Sequence, residues 1–174
     1  MKKYIFKGLN QEVKFGDKII ASKTNSSEKP NFFINTILSK DNVDILIKEG
    51  IIEVVNFSPK NYLDYFTNHM NKVGYSGYYD EFAIEWFCDN YGYSSVLYIL
   101  LKEIAEDMDE FYKTPISKSS DIYAISLTNG KVAKVDKNSI INYNNFAAFR
   151  SLKDAEVARD IVKPILKRMF PENY

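Results

Sequence analysis

Cysteine, histidine and tryptophan occur once each in the 174 residues, and there are only five prolines and seven glycines. A single cysteine, Cys88, cannot close an internal disulfide, so no redox chemistry is indicated. With His69 as the sole histidine, any imidazole-based metal site or Ser-His or Cys-His pairing has to pass through that residue. The few glycines form neither GxGxxG nor GxxxxGK[ST], and no CxxC, HExxH or GxSxG is present. Phosphate-cradling loops, structural zinc sites and nucleophile elbows are therefore not expected, and neither is a cofactor. Long apolar runs are missing too. Nothing approaches the roughly 20 residues needed to cross a bilayer, and the start MKKYIFKGLNQEVKF lacks the continuous apolar stretch of a signal peptide. These features predict a cytoplasmic protein, or a virion component if phage-encoded, with no membrane partner.

What is present is an ordinary globular balance of 45% hydrophobic and 26% charged residues. A chain of this length buries about 70% of its unfolded surface and needs no staple, so one domain over 1–174 is expected, with 114–121 as the place for an internal boundary. Net charge is zero, which argues against a general nucleic-acid binder. The charge is unevenly spread: nine basic and seven acidic groups in 1–57, four and ten in 58–113, ten and six in 114–174. The middle third is thus acidic. Arginine occurs only at Arg150, Arg159 and Arg168 beside many Lys, Asn and Ile, the codon usage of an AT-rich, bacterial or phage genome.

Patterning predicts strands over Lys3–Ala21, with Gly16-Asp17 turning a hairpin between Val13–Phe15 and Ile19–Ala21. The polar run 23–31 reads as a mobile surface loop, followed by an extended segment Phe32–Leu38. A short helix capped by Ser39 and ended by Gly50 precedes a buried strand Ile51–Phe57. Ser58-Pro59 then opens a helix to Val73, and two more follow over Asp80–Asn90 and Ser94–Tyr112. Asn129-Gly130 between two apolar runs signals a hairpin, and Asn144–Phe149 is a candidate third strand. Ser151 to Asp154 matches a capping box ahead of a helix over Ala155–Lys163, and Pro164 kinks it or starts a fresh one. Strands, helices, strands, helix is an α+β order: N-terminal antiparallel strands, a central helical region, and a C-terminal β-hairpin followed by an amphipathic helix.

Three groups of residues could carry chemistry. Glu81, Glu85 and Asp89 recur every four residues along one helix face, and with Glu103 and Asp107 on the next helix they could hold Mg²⁺ or Mn²⁺ in a hydrolase or nuclease. Water-facing positions on amphipathic helices account for all five more simply. Arg159, Lys163, Lys167 and Arg168, with Lys131, Lys134 and Lys137 on the hairpin, could touch phosphates, but Asp154, Glu156 and Asp160 dilute them. The densest feature is aromatic. Phe82, Trp86 and Phe87 read as core, whereas Tyr75, Tyr78 and Tyr79 flank glycines in a loop and, with Asp80 and Glu81, form the candidate partner-binding set. His69 reads as a structural histidine and Cys88 as a small core residue.

The expectation is a non-enzymatic protein-binding or self-assembling module, an adaptor, inhibitor or structural subunit, acting through an acidic, Tyr-rich helical surface that could also mimic nucleic acid. Metal-dependent hydrolysis and nucleic-acid binding through the basic C-terminal region are the alternatives.

Overall fold

The computed structural model describes residues 2–23, 32–112, 121–136 and 147–174. The loop over 23–31, the connector over 114–121, Lys137 and the start of Asn144–Phe149 fall wholly or largely outside them. Helices make up 48% and antiparallel strands 22%, in the α+β order read from the sequence. The chain forms two compact units, Met1–Phe57 and Ser58–Tyr174.

In the first unit, β1 (Lys2–Phe6) is the centre of a three-stranded antiparallel sheet, between β2 (Gln11–Val13) and β5 (Ile52–Asn56). Tyr4 stands opposite both Val13 and Val54. β3 (Lys18–Lys23) and β4 (Phe32–Ile37) form a separate antiparallel ribbon. The predicted hairpin across Gly16-Asp17 is therefore corrected. The turn exists, but the strands it joins belong to different sheets. Leu38 bonds to both residues of the turn, accepting Gly16 N (φ +99) at its carbonyl and donating its N–H to Asp17 O at 2.8 Å each, while Asp17 Oδ2 accepts Lys14 N. The chain is thus turned out of one ladder and into the other. This lets Phe6, Val13 and Ile19 share one core with Leu38, Val43, Leu46, Ile51 and Ile52.

Helix α1 (Val43–Lys48) begins one turn later than expected, with no side-chain cap bond. Asn42 rather than Ser39 is its N-cap, and the Asn42 side chain accepts from Ser39 N at 2.9 Å and donates to Ile37 O at 2.8 Å. Gly50 (φ +70) ends it, with Ile51 N donating to Leu46 O. β5 is an outer strand of its sheet, with only Ile52 fully buried, rather than a strand buried along its length.

The second unit is built around α4 (Tyr93–Tyr112), which packs on α2 (Tyr62–Lys72), α3 (Glu81–Tyr91), α5 (Leu152–Ile161) and α6 (Lys163–Met169). Val96, Leu97, Leu100, Leu101, Ile104 and Met108 recur on its buried face. α2 starts at Asn61, not Ser58, because Asn61 Oδ1 accepts Asp64 N at 2.9 Å, the bond that defines an N-cap. Asp80 caps α3 and Ser151 caps α5 in the same way. A three-stranded sheet of order β7-β6-β8 (Val132–Val135, Ile122–Ile125, Ala148–Phe149) adjoins α5. A turn of 3₁₀ helix over Pro171–Asn173 follows α6.

The hairpin predicted at Asn129-Gly130 is present, and its geometry differs from a two-residue turn. The ladder ends at Ile125 opposite Val132, and within the loop Gly130 N donates to Ser126 O while Ser126 N donates to Lys131 O. Gly130 alone adopts the left-handed region (φ +69), so Asn129 serves through its side chain, accepting Lys131 N at 3.0 Å. The C-terminus closes over this glycine: Tyr174 Oη donates to Gly130 O at 3.2 Å. A β-carbon at position 130 would meet Tyr174 Oη at 3.0 Å, Leu166 Cδ2 at 3.2 Å and Phe170 Cδ2 at 3.4 Å. Gly130→Ala is therefore expected to destabilise the protein by about 2 kcal/mol, from left-handed strain plus crowding. Gly74→Ala provides the comparison in the same unit, since Gly74 (φ +96) ends α2 with Tyr75 N donating to Met70 O, and nothing lies within 4 Å of its would-be β-carbon. In thermal melts Gly130→Ala should lose clearly more than Gly74→Ala, and equal losses would remove the clamp from the explanation.

Candidate functional site

The geometry of α3 follows from its periodicity. At 100° per residue, Ile84 and Cys88 point inward, and both are buried. Phe82 and Trp86 then fall on the opposite side, one turn apart. They are 77% and 51% exposed, which corrects their assignment to the core. Tyr91 at the end of the helix and Tyr75 and Tyr78 before it are exposed as well. Glu81, Glu85 and Asp89 form the adjoining stripe along one edge of the aromatic pair. The four-residue spacing read from the sequence is thus realised on a single helix.

Two of the exposed rings, Trp86 and Tyr91, are anchored from below. Phe66 of α2 is fully buried and meets Phe87 at 5.2 Å and Tyr79 at 5.6 Å, both edge-on. Phe87 in turn contacts Trp86 at 5.2 Å and stacks on Tyr91 at 5.6 Å, and Trp86 lies 6.2 Å from Tyr91. Such pairs contribute about 0.5–1.5 kcal/mol each beyond their buried area. Rings at the surface therefore stand on rings in the core. Tyr79 is fixed further, its N–H donating to Thr67 Oγ1 at 3.1 Å and its hydroxyl to Tyr75 O at 3.3 Å.

The carboxylates have diverse surroundings. Glu85 pairs with Arg168 of α6. Glu81 accepts from Tyr62, whose hydroxyl burial and that carboxylate together push up to about 12. Asp80 is occupied as the α3 cap. Glu103 and Asp107 do not join the α3 stripe but turn toward α2. Glu103 is only 4% exposed, contrary to its expected water-facing position. Its Oε2 accepts from Lys72 Nζ at 2.6 Å and Asn68 Nδ2 at 2.9 Å, and its Oε1 lies 3.1 Å from His69 Nδ1. A carboxylate only accepts, so the His69 hydrogen sits on Nδ1. Burial pushes Glu103 up, but the Lys72, His69 and Asn68 bonds outweigh it and hold the carboxyl below its ordinary value. Asp107 Oδ2 accepts the Tyr65 hydroxyl at 2.7 Å, and burial foremost with this bond raises the tyrosine. Among the described residues, no group of three or more His, Cys, Asp or Glu side chains could hold a metal ion.

The remaining candidates take structural positions. Cys88 is buried on the inner face of α3, where burial raises its thiol to about 11. Asp154 is buried as well and accepts from Tyr112 Oη at 3.2 Å; burial dominates its bonds to Ser151 and Tyr112 and raises its carboxyl. Of the basic groups, Lys134 pairs with Asp121 at 2.8 Å and Arg168 with Glu85, so these two do not point at a common ligand.

Helical angle carried the missed information. Glu103 follows Leu100 by three residues and Val96 by seven, which places it at the edge of the α4 apolar stripe. Phe82 lies two residues, or 200°, from Ile84, so the two cannot share one buried face. The chain matches no family model, no curated protein and no solved structure. Among the described residues, no helix is long and apolar enough to cross a membrane.

Proposed function

We propose that this chain is a non-enzymatic binding module that meets a protein partner through the outer face of α3, with Phe82 and Trp86 as anchors. The observation that carries the reading is the exposure of two large rings one turn apart on a helix whose inner face is already packed. Scattered apolar residues on a surface are ordinary. Here, however, Phe82 and Trp86 stand one turn apart on one face, the exposed Tyr91 ring lies 6.2 Å from Trp86, and the exposed Tyr75 and Tyr78 precede the helix. Aromatic side chains bury about 150–250 Å² each, so at 77% and 51% exposure Phe82 and Trp86 together offer roughly 250 Å², a central anchor within the ~800 Å² per partner of a standard interface. Trp, Tyr and Phe are also the types enriched at such contacts. The Phe87 contact beneath Trp86 adds preorganisation, which reduces the ordering entropy of binding.

The test compares the wild-type chain with Phe82→Ala and Trp86→Ala in capture of a stoichiometric partner from the natural host. Loss of each anchor should weaken the complex about 30-fold, the effect of a 2 kcal/mol hot spot, with helical circular dichroism unchanged in both. Phe82→Ala should keep its melting temperature, whereas Trp86→Ala gives up its ring contacts with Phe87 and Tyr91 and melts somewhat lower. A partner held equally by wild type and both variants would move the binding surface off α3.

A further inference from the structure

We infer that the partner presents a basic amphipathic segment, with apolar side chains that cover Phe82 and Trp86 and Lys or Arg along one flank that meet the Glu81, Glu85 and Asp89 edge. This rests on the reading of the α3 face as a binding surface and names what covers it. The argument is charge complementarity. Between Lys72 and Lys102 the chain has no Lys or Arg, while Asp80, Glu81, Glu85 and Asp89 all fall in that interval. The aromatic pair is therefore bordered by acid, and the segment that carries it supplies no cation of its own. The border already holds one guanidinium from elsewhere in the chain, since Arg168 pairs with Glu85. Glu81 and Asp89, one turn to either side, are exposed.

The same charges decide against other occupants. A second copy docking α3 on α3 would set acidic edges on aromatic faces whose one neighbouring cation, Arg168, is already paired with Glu85, and like charges brought together in an interface cost affinity. Phosphate-bearing surfaces, whether nucleic acid or anionic lipid, would be repelled by the same edge. A polypeptide with basic flanks gains both terms. Its apolar residues cover the rings, and its cations are placed for ion pairs and for the ring face of Trp86.

Trp86 is the only tryptophan, so its emission reports on this face alone. The probes are three synthetic amphipathic helices of one apolar pattern, carrying Leu with Lys, Leu with Gln or Leu with Glu. Binding is followed by Trp86 emission and by the anisotropy of labelled peptide. The Lys peptide should bind saturably with a blue shift, at least about tenfold more tightly than the Gln peptide, and the Glu peptide more weakly than either. Added salt, or the Glu81→Gln/Asp89→Asn double variant, should bring the Lys peptide down toward the Gln level. Equal binding of the Lys and Gln peptides overturns the charge inference and leaves the aromatic face as a binding surface. Lys-peptide binding that survives Phe82→Ala also overturns it, because the contact then lies elsewhere. If none of the three peptides moves the Trp86 emission or gains anisotropy, both readings fall. Dimerisation of the protein alone that shifts Trp86 emission assigns the face to a second copy and overturns the inference.

Discussion

Glu103→Ala is expected to destabilise the 58–174 unit by about 3 kcal/mol, at the low end of what breaking a buried ion pair costs. The low end applies because the stranded cation is not trapped. Lys72 is about half exposed and retains Glu106, 3.1 Å away, as a partner. What is lost is the three-way tie between α4 and α2 made by Lys72, His69 and Asn68. Glu103→Leu provides the contrast. Continuum reasoning holds that a buried pair is repaid only in part against a well-packed apolar residue, so Leu should recover most of the loss. If Leu is as damaging as Ala, the bonds outweigh the burial that opposes them. The effect should also depend on pH. The Glu103 carboxyl is held below its ordinary value of 4.5, so its stabilisation is fully present above 4.5 and is lost as pH falls through the folded value. Asp154 acts in the opposite sense, since its carboxyl is raised and its ionised form is disfavoured in the fold. Urea unfolding monitored by Trp86 should therefore show the gap between wild type and Glu103→Ala closing on acidification below pH 4.5. A gap that stays constant into acid would mean that the ionised carboxylate is not the stabilising group.

How much of this was legible in the sequence depended on whether the information was local. The capping residue Ser151, the glycine at 130 and the long apolar stripe of α4 are local signals, and each placed its element within a few residues. Strand pairing is not local. The turn at Gly16-Asp17 was readable, but which ladder each flank joins is decided by β1 and Leu38, residues distant in sequence. Burial of Glu103 is a hybrid case. Its angle on α4 was calculable, whereas the presence of Lys72, His69 and Asn68 opposite depends on how α2 packs. For Phe82 and Trp86 the difficulty was different: residue type argued for the core and helical angle argued for solvent. Angle prevailed because Ile84 and Cys88 had already filled the inward positions.

Phe66→Ala should cost about 3–5 kcal/mol, the range for removing a buried aromatic side chain from a packed core. Phe66 is almost fully buried and supports Phe87 and Tyr79 by edge contacts, and Phe87 supports Trp86 and Tyr91. Its loss therefore reaches the surface through rings that the substitution does not touch. Two readouts separate this from a generic core defect. Under conditions where the variant remains folded, Trp86 emission should change, and binding at the α3 face should weaken although every exposed ring is still present. A Leu100→Ala variant supplies the control, since it opens a cavity at another fully buried site outside these ring contacts, with a comparable stability loss of about 2–5 kcal/mol. Phe82→Ala completes the comparison from the other side. That ring is largely exposed, so its removal should leave stability within about 0.5 kcal/mol while weakening binding. Binding that falls with Phe66→Ala and Phe82→Ala but not with Leu100→Ala would tie recognition to the aromatic stack itself. Binding that tracks stability through all three would reduce the stack to ordinary core.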